Sequence, residues 1–320
     1  MNARLVDDIA NAVLYEGYIL YPYRASAVKN RQRWNFGVLY PRAFSELQHG
    51  TDAWSMQTEC LARATGSLTT LNIRVRFLHL IERTAQSDRE PAWQEGAERD
   101  LHVLPLDLCA LASSPASQAF TFPANCETNG NVVRKQEPIL GEISVEAASL
   151  ENGLFKIRIE VRNTTCLESA ANASTRDAIL MRSLVSAHTV LNIEGGEFIS
   201  LLDPPDELRG IAAQCKNVGT WPVLVGEPGE RDAMLSSPII LYDYPRIAPE
   251  SAGALFDGTE IDEILTLRIM TLTDDEKREM DQVDDRAREV LQRTEAMPPE
   301  QLMKMHGALR GLSRAGGERP

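Results

Sequence analysis

Gly141-Glu-Ile-Ser-Val-Glu-Ala-Ala-Ser-Leu-Glu-Asn-Gly-Leu-Phe-Lys-Ile-Arg-Ile-Glu-Val-Arg162 carries the fold class of this chain. Its second half sets Phe155, Ile157, Ile159 and Val161 on one face and Lys156, Arg158, Glu160 and Arg162 on the other. That period-two pattern marks a half-buried strand. Asn152-Gly153 separates this run from the one before it, and Asn-Gly between two strand-like runs is the strongest short-range hairpin signal. Gly141 to Arg162 is therefore expected to fold as a β-hairpin.

The same alternation recurs upstream in Leu71-Asn-Ile-Arg-Val-Arg-Phe-Leu-His-Leu80, with Leu71, Ile73, Val75 and Phe77 on one face. Further short strands are expected at Thr189 to Ile193, Glu197 to Leu201, Trp221 to Val225 and Pro238 to Tyr242, several set apart by turn-forming residues. Many short strands with frequent turns predict an α+β, mainly β protein, an antiparallel β-sandwich or an open barrel-like body. Two polar passages, Thr84 to Asp100 and Ser113 to Asn131, read as long loops near 84–100 and 113–131. A short helix is expected from about Thr175 to Ser186 behind a Ser174/Thr175 cap.

Toward the C-terminus the text changes in kind. Thr273-Asp-Asp-Glu276 has the form of a capping box, and Met280, Val283, Ala287, Val290 and Leu291 follow at helical spacing. A helix to about Thr294 is expected, interrupted by Pro298-Pro299 and resumed over Glu300 to Leu309. The expected organisation is thus a β-rich body over 1–255, an acidic helical region over 256–312 forming a hairpin or an arm, and a disordered tail over 313–320.

The chain has 320 residues, is 43% hydrophobic and 25% charged, and carries a net charge of −13. It is long enough to bury a sizeable core without covalent staples. Such a charge disfavours nucleic acid and anionic lipid as partners. No apolar run approaches the roughly 18 residues of a membrane span, and the first twenty residues lack the apolar core of a secretory signal, so a cytoplasmic location is expected. Cys60, Cys109, Cys126, Cys166 and Cys215 show neither a disulfide framework nor a CxxC pair. The acceptor patterns at Asn163 and Asn172 read as chance without a secretory route.

Motifs for chemistry are sparse. Neither GxxxxGK[ST] nor GxGxxG nor GxSxG occurs, so no nucleotide cofactor and no serine-hydrolase elbow is expected. His49, His79, His102, His188 and His306 stand singly, without HxH or HExxH spacing. A site assembled from separated His, Cys and Asp residues would be invisible to spacing; His79, His188, Cys60, Cys126 and Cys166 are its candidates, and a hydrolase or metal-handling enzyme stays open as the alternative.

Two stretches depart from an ordinary surface. Gly17 to Ser45 holds Arg24, Lys29, Arg31, Arg33 and Arg42 with no acid, among Tyr18, Tyr21, Tyr23, Trp34, Phe36 and Tyr40. Cations among aromatic rings fit a protein-protein hot spot, a nucleic-acid groove, or core rings with internally paired arginines. The candidate binding residues are Arg24, Lys29, Arg31, Arg33, Trp34, Tyr40 and Arg42. Asp243 to Asp285 holds thirteen acids against four bases. It reads either as solvated helix faces or as a contact for a basic surface, that of Gly17 to Ser45 being one candidate.

Ile19-Leu-Tyr-Pro-Tyr-Arg-Ala-Ser-Ala-Val-Lys-Asn-Arg-Gln-Arg-Trp-Asn-Phe-Gly-Val-Leu-Tyr-Pro41, Ser237-Pro-Ile-Ile-Leu-Tyr-Asp-Tyr-Pro-Arg-Ile-Ala-Pro-Glu250 and Phe256-Asp-Gly-Thr-Glu-Ile-Asp-Glu-Ile-Leu-Thr-Leu-Arg268 are similar to a bacterial protein family encoded among uptake [NiFe]-hydrogenase genes. The resemblance covers about a quarter of the chain. It implies a non-enzymatic accessory role in assembly or maturation of that multi-subunit enzyme, with a hydrogenase subunit as protein partner. It brings no catalytic or metal residue with it. The terminal Cys pairs of a hydrogenase large subunit and the Cys spacing of an iron–sulfur subunit are both missing, so the chain would serve the enzyme rather than be it. On this reading Trp34→Ala combined with Arg33→Glu abolishes co-purification of the partner while leaving the fold intact. An unchanged pull-down would show the interface to lie elsewhere.

Overall fold

The computed structural model describes residues 3–15, 36–49, 51–66, 68–85, 93–167, 175–246, 269–283, 288, 291–292 and 294–296. Within them the chain is mainly antiparallel β-structure with a few helices, and its two sheets are not closed into a barrel. The strands are β1 (Ser55–Ala64), β2 (Thr70–Ala85), β3 (Trp93–Asp107), β4 (Ala116–Phe122), β5 (Asn125–Asn129), β6 (Val132–Gln136), β7 (Ile139–Ser149), β8 (Leu154–Asn163), β9 (Val185–Glu194), β10 (Gly196–Ile199), β11 (Trp221–Leu224) and β12 (Ala233–Ser237). The helices are α1 (Ala3–Leu14), α2 (Arg42–Leu47), α3 (Leu108–Ser113), α4 (Arg176–Leu180), α5 (Arg209–Ala212) and α6 (Asp274–Val283).

The expected hairpin is β7–β8. Its register runs from Gly141 opposite Asn163 to Ser149 opposite Phe155. Asn152 and Gly153 both take left-handed backbone, with φ of 58° and 69°, which is why that residue pair makes the turn. The hairpin lies inside a five-stranded sheet of order β10-β1-β8-β7-β4.

The second sheet has seven strands and turns on β2, whose sixteen residues pair along both edges. β3 runs beside it from Thr70 opposite Asp107 to Arg83 opposite Trp93. On the other edge β9 takes the first half and β6 the last four residues. Outward from these, β12 and β11 extend the sheet past β9, and β5 extends it past β6.

The two sheets face each other across one core. Leu71, Ile73, Val75 and Phe77 of β2 meet Ile157, Ile159 and Val161 of β8 and Ile143 and Val145 of β7. The opposite face of the seven-stranded sheet is covered too. Val6, Ile9, Ala10 and Val13 of α1 pack on Val190, Val223 and Leu235, while Met280 of α6 and Leu291 join Leu78 and Leu80. The described part of the C-terminal region therefore docks on the body. Its capping box forms as expected: the Glu276 backbone N–H donates to Thr273 Oγ1 at 3.3 Å, and the Thr273 N–H donates to Glu276 Oε2 at 2.7 Å.

Several expectations are corrected. The passages at 84–100 and 113–131 are largely strands, since β2 runs to Ala85, β3 begins at Trp93, and β4 and β5 fill the second passage. β3 lacks apolar alternation because it is an edge strand held by ladder bonds to β2 and by charged side chains. β5 is exposed at every residue and is held by its hairpin with β6, turning through Gly130. The Thr175 cap is correct, its hydroxyl accepting from the Ala178 N–H, but the helix stops at Leu180 and β9 starts at Val185. The strand expected at Pro238 to Tyr242 lies earlier, at Ala233–Ser237. The second C-terminal helix and the tail lie outside the described residues. Helix α1 had a legible signal in Val6, Ile9, Ala10, Val13 and Leu14, at three- and four-residue spacing.

One packing detail is directly testable. Gly141 lies opposite Phe120, and a Cβ there would come 2.1 Å from the Phe120 ring. Gly141→Ala should lower stability by about 1–3 kcal/mol through overpacking, seen as a lower urea midpoint at unchanged slope. An unaltered midpoint would mean the ring is free to move aside.

Candidate functional site

The expected basic, ring-rich surface is represented among the described residues by Tyr40 and Arg42, since Arg24, Lys29, Arg31, Arg33 and Trp34 lie outside them. Tyr40 is a core residue, 2% exposed, which takes its ring out of any contact surface. Burial pushes its hydroxyl up to about 12, partly offset by Arg176, which donates to that hydroxyl and lies over the ring. Arg42 is exposed; it pairs with Glu46 at 2.8 Å and stacks over Trp54 at 4.8 Å.

The residues proposed for a metal or hydrolytic site are kept apart. His79 and His188 stand on opposite faces of the seven-stranded sheet, one facing the sandwich core beside Phe122 and the other beneath α1. Cys60 is buried, Cys126 and Cys166 are exposed, and all five cysteines are free thiols. Among the described residues no three His, Cys, Asp or Glu side chains are grouped to hold a metal ion. Asn163 is fully buried, its amide donating to the carbonyls of Leu39 and Arg182.

Charged groups do gather beneath α1. Asp7, Asn11 and Tyr15, one helical turn apart, reach Arg74, Arg76 and Glu98 of the sheet. Arg74 pairs with Asp7, Arg76 donates to Asn11 Oδ1 at 2.7 Å, and the Tyr15 hydroxyl donates to Glu98 Oε1 at 2.5 Å. His188 lies under this layer, its Nδ1 2.9 Å from the Ser186 carbonyl. Burial, reinforced by Arg76 and Arg74, drives its pKa down to about 3. This layer fixes α1 on the sheet and neutralises its own charge; the acids and arginines are committed to one another.

A different geometry is found just after β12. Ile239 and Leu241 turn inward against the α1 cluster, while Ile240 and Tyr242 turn outward, 72% and 86% exposed. The side chains of this segment thus alternate although it is no strand and forms no ladder. Asp243 pins the segment, its carboxylate accepting from Ser200 Oγ at 2.5 Å and from the Leu224 N–H at 2.8 Å. Tyr244 follows with φ of 56°, its N–H donating to Leu224 and its hydroxyl to the Glu230 carbonyl at 2.9 Å. Exposed Leu202 hangs from the same bracket, its N–H donating to Ser200 Oγ, and exposed Trp221 stands opposite Ser237. Two large apolar side chains are therefore held out by a backbone fixed on both sides, at low cost in conformational freedom on contact. This corner falls within one of the stretches that carried the family resemblance. No family model and no curated protein matches the chain.

The two buried histidines make stability depend on pH. His79 is held down to about 4, mainly by burial, and His188 to about 3. Both lie below the ordinary 6.5, so in the window beneath 6.5 the unfolded chain binds more protons and stability falls as pH falls. From pH 6.5 to 5 each histidine should cost about 2 kcal/mol. Urea unfolding at the two pH values, with imidazole NMR showing two rings still neutral near pH 5, checks this. A midpoint unchanged on acidification would contradict it.

Proposed function

We propose that the chain works by binding a protein partner, as an accessory factor in assembly or maturation of a [NiFe]-hydrogenase. One observation carries the binding role: Ile240 and Tyr242 are held outward by the Asp243 and Tyr244 brackets. Tyrosine on a rigid backbone, with Leu202 and Trp221 exposed on the segments that Asp243 binds through Ser200 and Leu224, is the composition of an interface hot spot. The partner class rests on the resemblance to the hydrogenase-linked family, whose recognisable words include Ser237 to Glu250. No helix among the described residues is long and apolar enough to cross a membrane.

The basic run Gly17 to Ser45 remains part of the proposal as a second contact, with Arg42 at its described end. Acids of the Asp243 to Asp285 stretch complement a basic partner surface by steering its approach. The fixed apolar corner would supply the affinity.

Tagged protein purified from its native host should bring down a hydrogenase subunit, identified by mass spectrometry. Ile240→Asp with Tyr242→Asp should weaken that capture at least about tenfold, since loss of a central aromatic anchor costs about 2 kcal/mol or more. Capture of no hydrogenase subunit by the wild-type chain would overturn the partner class. Undiminished capture by the double variant would overturn the surface.

A further inference from the structure

The chain contains two Asn-Gly pairs, Asn129-Gly130 and Asn152-Gly153, and both lie at hairpin turns. Glycine after asparagine favours loss of the side-chain amide, because no side chain shields the glycine nitrogen as it approaches Asn Cγ. The chemistry is the same at both turns, and the surroundings differ. Ring closure carries the glycine nitrogen onto the side-chain carbon, a movement that a closed turn resists. The rate at each pair therefore follows how often its turn opens.

Asn152-Gly153 is locked. Leu154, directly after it, is 3% exposed and packs with Leu61, Ile199 and Leu208. Two main-chain bonds close the turn, the Leu150 N–H donating to the Leu154 carbonyl at 2.7 Å and the Leu154 N–H to the Glu151 carbonyl. Both strands are held on their other edges as well, β8 by β1 and β7 by β4. Opening this turn pulls a buried leucine out of its cluster.

Asn129-Gly130 has none of this support. It ends β5, an edge strand exposed at every residue, and Gly130 and Asn131 of the turn are exposed too. A Cβ built on Gly130 would meet nothing within 4 Å, whereas one on Gly153 would lie 3.6 Å from the Ala64 carbonyl oxygen. Among the described residues β5 pairs with β6 alone, and β6 has no buried side chain before Gln136. Opening costs the closing pair of Asn129 and Val132 and little packing.

We propose that Asn129 is a deamidation site, converted to aspartate and isoaspartate well ahead of Asn152. The Gly130 nitrogen bonds to Asn129 Cγ, and the side-chain nitrogen leaves as ammonia, taking up the Gly130 proton. Water then opens the five-membered imide at either carbonyl, so the sum is amide plus water to acid plus ammonia, with no oxidant or reductant. The isoaspartyl product places one extra carbon in the main chain at the residue that closes the hairpin. Register with Val132 is lost, and β5 separates from β6.

Full-length protein aged in mildly alkaline buffer and digested for mass spectrometry is the test, with isoaspartate read by an S-adenosylmethionine-dependent isoaspartyl methyltransferase. The Asn129 peptide should convert at least about tenfold faster than the Asn152 peptide, which corresponds to about 1.4 kcal/mol between the two openings. In urea-unfolded protein that ratio should collapse. Asn129→Gln, at an exposed position, should remove the early product and leave the Asn152 rate unchanged. Hydrogen exchange of the aged protein should show protection lost in β5 and kept in β2 and β8. Equal rates in the folded protein, Asn152 converting first, a ratio that persists in urea, or an Asn129 that stays intact while the unfolded chain converts would overturn the proposal. It is independent of the hydrogenase partner, which this experiment does not involve.

Discussion

Strand β2 is hydrogen-bonded along both edges and packed on both faces, and the rest of the molecule is arranged around that constraint. Its inward side chains, Leu71, Ile73, Val75 and Phe77, build the sandwich core. Its outward ones change character along its length. Arg74 and Arg76 face the polar stripe of α1, whereas Leu78 and Leu80 face the cluster that receives α6. One strand therefore sets where the second sheet, the N-terminal helix and the C-terminal helix must sit. Apolar burial drives the assembly, and buried Arg76 with half-buried Arg74 fixes the position of α1, since a misplaced helix would strand their charge.

The two sheets are also tied by polar contacts inside the core. Thr58 of β1 shares a 2.7 Å hydrogen bond with Ser236 of β12, which meets Thr220 at 2.8 Å. A hydroxyl bridge of this kind specifies how one sheet lies over the other, which apolar packing alone tolerates more loosely. It also brings β12 to a fixed place, and the corner at Ile240 to Tyr244 starts from its end. The exposed pair is thus a consequence of core architecture.

Sequence reading succeeded where side chains alternate and failed where the backbone ladder alone holds a strand. β2 and the β7–β8 hairpin were legible because Leu71 to Phe77 and Phe155 to Val161 present one apolar face and one polar face. β1 was not, because Thr58, Cys60 and Ala62 fill its inward positions and blur the period. β3 was read as loop up to Asp100 because its polar residues serve ion pairs at a sheet edge, and β5 because all its side chains are exposed. The Asn129-Gly130 turn carried the same hairpin signal as Asn152-Gly153, but its flanking strands lack alternation. As for sites, the singly placed His79 and His188 proved to be buried on opposite faces. Spacing along the chain could not have shown His79 and Arg99 meeting at the Phe122 ring, because three separate strands bring these residues together. Exposed Ile240 and Tyr242 were visible only as strand text; their direction depends on Asp243 reaching Ser200 and Leu224.

Native-state hydrogen exchange of the full chain measures most directly whether β2 is the element on which the fold depends. The amides of Leu71 to Leu80 should be among the slowest to exchange, opening together with those of Phe155 to Val161 and with the free energy of global unfolding. Exchange in β5 and β6 should be faster, through local opening at the sheet's end. If β2 opened at a free energy well below that of β8, or the two sheets exchanged as separate units, β2 would not be the strand that holds the sandwich and its helices together.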